Sequence, residues 1–114
     1  MEKRAVAHAM LLAWSSPVSP EREAEFIEWY TKTHMPQLTH AIPGVTATSR
    51  YRLLGSGIDG KPVRYLCCYE LGGTDAKTAA AALAKARESG AFDMSSAIDV
   101  SVEPPVLQFV DPVD

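Results

Sequence analysis

The chain has 114 residues, 46% of them apolar and 22% charged, with a net charge of -3. That describes one globular domain, residues 1–114, with a small core. Lys and Arg cluster nowhere, which argues against nucleic-acid binding, since that rests on phosphate neutralisation. No apolar run approaches the ~20 residues of a membrane span.

Residues 5–14, AVAHAMLLAW, form an apolar run with His8 as its only polar side chain. Read as a strand, its even face carries Val6, His8, Met10, Leu12 and Trp14, and its odd face small alanines. Neither face looks solvated, so this strand should be covered on both sides. A signal peptide fits less well: the run is short, contains His8 and lacks a small-residue cleavage pattern.

SSPVSPERE then starts a helix, with Ser19 as N-cap and Pro20 in the first turn. Phe26, Trp29, Tyr30 and Thr33 share one stripe, with His34 on its flank. Pro36 disfavours helical geometry at Met35, which predicts that the helix ends near His34. IPGV turns into a second strand over residues 45–54, and GSGIDGKP links it to a third over residues 63–71. On the second strand Tyr51 lies on the apolar face, and Arg50 and Arg52 on the opposite one, suited to solvent or a dimer surface. A second helix starts at Thr74 or Asp75 and closes at Gly90. The last strand falls within residues 98–110, where Pro104-Pro105 suggests an edge or a bend. Cys67 and Cys68 are adjacent on the third strand and read as packing residues in a reducing, cytoplasmic compartment.

The order β-α-β-β-α-β predicts an α+β, ferredoxin-like domain with a four-stranded antiparallel sheet. Two helices cover one sheet face, so a first strand apolar on both faces predicts a homodimer packed sheet against sheet.

The stretches EFIEWYTKTHMP, IPGVTATSRYRL and RYLCCYEL resemble the dimeric α/β-barrel superfamily, in particular its EthD-like branch. The matching positions are Trp29, Tyr30, His34, Pro36, Pro43, Gly44, Arg50 and Tyr51. The resemblance implies a dimer with a ligand cavity in each subunit, between sheet and helices. It also implies chemistry ranging from cofactor-free monooxygenation to cyclisation, isomerisation and lyase reactions, so fold alone does not pick the reaction.

Two readings of His34 stand. It is a cation at the negative end of a helix, or an imidazole able to exchange a proton near neutral pH. Tyr30, four residues earlier, would hold it. His8, Trp14, Phe26, Trp29, Tyr51 and Tyr69 are the candidate lining of a substrate site, each with a plain packing role as the alternative. The chain contains no glycine-rich phosphate loop, no Cys/His pair at zinc spacing and no serine in a nucleophile elbow. The expected function is therefore a cofactor-independent, metal-free enzyme of lyase, dehydratase, cyclase or isomerase type, acting on a hydrophobic, aromatic or polyketide-like molecule. The alternatives are a cofactor-free monooxygenase and a non-catalytic, ligand-binding stress-response dimer.

Overall fold

The computed structural model describes residues 7–113. Strand β1 spans Met10–Ser15. A 3₁₀ turn, Pro20–Arg22, leads into α1, Glu23–Trp29. A π-helical turn, Tyr30–His34, joins α1 to α2, Met35–Ala41. Strand β2 is Ala47–Arg52, β3 is Tyr65–Glu70, α3 is Ala76–Glu88 and β4 is Val106–Val110. The sheet order is β2-β3-β1-β4, and every neighbouring pair is antiparallel. With the continuous helical rod from α1 to α2 counted once, this is the ferredoxin-like α+β arrangement. No helix among the described residues is long and apolar enough to cross a membrane. Residues 5 and 6 of the predicted first strand lie outside the described residues.

Parity across the sheet decides which residues meet the helices. One row runs Thr48, Tyr69, Leu11, Phe109; the next runs Arg50, Cys67, Ala13, Leu107. Leu11, Ala13, Cys67 and Tyr69 are buried, so these rows form the helix side. The core there includes Phe26, Tyr30, Leu38, Ile42, Leu71 and Leu83. The bulky even face of β1 (Met10, Leu12, Trp14) lies on the other, open side of the sheet. It shares that side with Leu66 and Cys68 of β3 and Val106 and Val110 of β4. The helices thus take the small-residue face of β1, where Ala9 and Ala13 allow close approach.

The first helical rod does not end at His34, as Pro36 had suggested. It runs to Ala41. The reason is the π turn: the Met35 N–H donates to the carbonyl of Tyr30, five residues back. The widened turn places Pro36 at the start of a new α segment, where a missing N–H costs little. The rod closes at Gly44, whose φ is +105°. A Cβ there would meet the carbonyl of Gly73 at 2.8 Å, so the IPGV turn and the turn before α3 need glycine to approach.

Local signals hold elsewhere. Asp75 caps α3, with its carboxylate accepting from the Thr78 N–H at 2.7 Å, and Gly90 follows the helix at φ +73°. β4 starts just after the Pro pair and is an edge strand.

Candidate functional site

The π turn brings His34 against three rings. Its imidazole stacks on Trp29 with centroids 4.7 Å apart. The edge of Tyr30 lies at 5.0 Å and Phe92 at 6.0 Å. Residues 92 and 93 come from the loop after α3 and are clamped over this box. The Trp29 indole N–H donates to the Asp93 carbonyl at 2.8 Å. The Gln37 amide donates to the Asp93 carboxylate at 2.7 Å and accepts from the Asp93 N–H at 2.9 Å. These bonds hold a polar loop over an apolar box.

Within the box, His34 Nδ1 is buried and has no hydrogen-bond partner. Burial pushes the His34 pKa down to about 4. The ring is therefore neutral near pH 7. A neutral, desolvated imidazole is a weak base but a ready hydrogen-bond partner, and an anion bound beside it would raise its pKa.

Tyr30 links this box to the sheet. It is 4% exposed, and its hydroxyl lies 3.4 Å from that of Tyr69. Burial drives both phenols well above the ordinary tyrosine range, so both stay protonated. Cys67 lies in the same layer, 3.9 Å from the Met35 sulfur, and burial also raises its thiol pKa. Phe26 is fully buried, with its ring 5.8 Å from those of both Tyr30 and Tyr65.

Of the residues singled out from sequence, the structure gathers Phe26, Trp29, Tyr30, His34 and Tyr69. It separates three others. Trp14 lies on the open face and donates to Gln108 at 3.2 Å. Tyr51 pairs with Leu66 on the open face and is 56% exposed. His8 is exposed. Trp14 and Tyr51 belong to the face the helices do not cover. Arg50 moves the other way: it lies on the helix side, with its guanidinium 5.2 Å from the Tyr30 ring centre and Nη1 donating to Thr31 at 2.6 Å.

Gln37, Phe92 and Asp93 escaped the sequence reading. Gln37 lay beyond the supposed helix end, and residue 93 reaches Gln37 across 56 positions with no local signal. His40 lies on α2. It lines a groove of about 640 Å³ between α2 and the start of β2, together with Met35, Pro36, Thr39, Val45 and Thr48. The groove reaches Met35 but not His34. Among the described residues no three His, Cys, Asp or Glu side chains gather to hold a metal ion.

No family model matches the sequence, and no curated protein matches it significantly. Solved structures do. A candidate monooxygenase from Shewanella loihica PV-4 superposes with a TM-score of 0.55 at 11% identity, covering 96% of this chain and 99% of that one. An EthD-like protein from Ralstonia eutropha JMP134 superposes with a TM-score of 0.50 at 15% identity, covering 96% of each chain. At such identities the likeness speaks for the fold. The chain has the four-stranded ferredoxin-like α+β fold of these EthD-like and monooxygenase-type structures, and the resemblance read from WYTKTHMP holds at that level.

Proposed function

We propose that the protein takes a hydrophobic, aromatic or polyketide-like small molecule between its helices and sheet and that His34 exchanges a proton with it, without a cofactor. Lyase, dehydratase, cyclase and isomerase steps all fit this chemistry. The observation that carries the reading is the buried, partnerless Nδ1 of His34 in a ring of Trp29, Tyr30 and Phe92. Buried polar atoms are normally satisfied, so an orphan marks a place where a partner belongs. The π turn that carries it is a feature often found at functional sites. The Phe92–Asp93 cover must shift to admit a ligand.

The protein works as a homodimer in this reading. Met10, Leu12, Trp14 and Leu66 form an apolar stripe on the open face, and the chain's own helices all lie on the other side. A second copy laid sheet to sheet would cover that stripe.

One observation favours a second reading. A pKa of about 4 leaves His34 far from the operating pH at which a general base is most effective. A ligand-binding dimer without turnover uses the same neutral imidazole as a hydrogen-bond partner.

A panel of phenolic and polyketide-like compounds, followed chromatographically with and without oxygen, separates the readings. Acid–base catalysis predicts oxygen-independent products and a loss of at least about a hundredfold in turnover for His34→Gln. Products with turnover unchanged in His34→Gln would contradict the catalytic role. Binding without products would leave the second reading standing.

A further inference from the structure

Arg50 and Arg52 are two residues apart on β2, so both stand on the helix side of the sheet. The ion pairs among the described residues are Arg22–Glu25, Lys32–Glu28 and Arg64–Glu103; Arg50 and Arg52 are in none of them. A groove of about 330 Å³ opens here, lined by Ile27, Arg50, Tyr51, Arg52 and Tyr65. That is near the lower end of the roughly 300–1,000 Å³ typical of ligand pockets.

Against the groove lies a closed crevice, too tight to admit a water molecule, that shares Arg50 and Tyr65 with it and adds Ser15, Phe26, Tyr30, Leu66 and Cys67. Ser15 is 4% exposed, and its hydroxyl oxygen is buried with no hydrogen-bond partner. The mouth therefore offers two cations outside any ion pair, and the unpartnered Ser15 hydroxyl lies sealed beneath them. Aromatic walls join them: Phe26 stacks with Tyr65, and Tyr30 lies under the Arg50 guanidinium. Glu23 is an acid near the mouth, and its carboxylate already accepts from the Tyr65 hydroxyl. With Arg50, Arg52 and Glu23 counted, the mouth keeps one positive charge.

We infer that this groove forms a subsite for an aromatic carboxylate. The carboxylate lies on Arg50 and Arg52, which suit its planar, two-oxygen geometry. The ring lies against Ile27 and Tyr65. The inference rests on the reading that a small molecule enters between helices and sheet, but it concerns what binds and not what His34 does to it.

The test is calorimetric titration of the whole protein at low ionic strength with benzoate, benzamide and inorganic phosphate as probes. Benzoate is expected to bind saturably, with benzamide and phosphate each at least about tenfold weaker. That is the size of one charge-assisted hydrogen-bond contribution. Arg50→Gln should weaken benzoate about tenfold or more and Arg52→Gln less, while Arg50→Lys should fall between Arg50→Gln and the unchanged protein. Arg52 is exposed, so its variant stays folded and keeps the test valid if Arg50→Gln does not. Equal binding of benzoate and benzamide, phosphate as tight as benzoate, affinity unchanged in both Gln variants, or no saturable benzoate binding would each overturn the subsite. Benzoate binding without turnover of any compound would sink only the catalytic proposal. Turnover of neutral aromatics with no benzoate binding would sink only this one.

Discussion

The two sides of the sheet are built from alternate residues of the same strands, yet they are opposite in character. On the helix side Leu11, Cys67 and Tyr69 are nearly inaccessible, and two polar atoms, His34 Nδ1 and Ser15 Oγ, are buried without partners. On the open side Met10, Leu12, Trp14 and Leu66 are only half-buried, and Tyr51 is 56% exposed. The lesson is that apolar content does not locate a site. The bulky even face of β1 suits a flat, repeated contact with another copy. Ala9 and Ala13 on its other face leave room for helices, and their aromatic stripe creates the dry pockets in which polar groups become reactive or hungry for a ligand.

The largest expected effect comes from charging the open side. Leu12→Asp would place two symmetry-related carboxylates in the proposed sheet-to-sheet interface. Self-association should weaken by about a thousandfold or more, because each unpaired buried charge costs several kcal/mol. Sedimentation velocity reads this directly, and helical content should be unchanged. An unaffected association state would break the comparison. Next is the buried neighbour: Leu11→Ala should lower stability by about 2–5 kcal/mol in urea at fixed protein concentration. A cost below about 1 kcal/mol would mean that the helix side is loosely packed.

A smaller effect concerns pH. Burial holds the His34 pKa at about 4 against an ordinary 6.5. The unfolded chain therefore binds the His34 proton more readily than the folded one. Stability from this group is full above about pH 6.5 and falls as pH drops toward about 4. The loss is at most about 3 kcal/mol. His34→Gln should remove this part of the acid limb in denaturation series run across that window. The smallest change lies away from both faces: Asp75→Ala, which removes the cap of α3, should cost about 1 kcal/mol and alter neither association nor ligand binding.

Features set by neighbours in sequence were legible in the chain. The strand count, a helix cap at Thr74 or Asp75, the Gly90 stop and an edge or bend at Pro104-Pro105 all depend on residues a few positions apart; the fold takes Asp75 as the cap and makes the last strand an edge. Three features were not legible. The helix passes Pro36 because a π turn resets the hydrogen-bond ladder, and the usual proline rule has no term for that. Both faces of β1 are apolar, so parity alone could not say which one the helices take. On β2 the rule that apolar residues point inward fails: Arg50 goes in, where its guanidinium finds the Tyr30 ring and Thr31, and Tyr51 goes out. In the site, the aromatic stripe and His34 were visible as a local pattern. Their cover, Phe92 and Asp93, is brought there only by the tertiary fold.

The proposed role of His34 requires the helix side to be closed and dry around it. Titrating the histidine side chains by nuclear magnetic resonance, with His34 assigned through its loss in His34→Gln, tests this most directly. His34 should stay neutral until the pH approaches about 4. A His34 midpoint close to 6.5 would mean that water reaches the ring, and it would contradict the claim that His34 is held dry and unpartnered for a ligand.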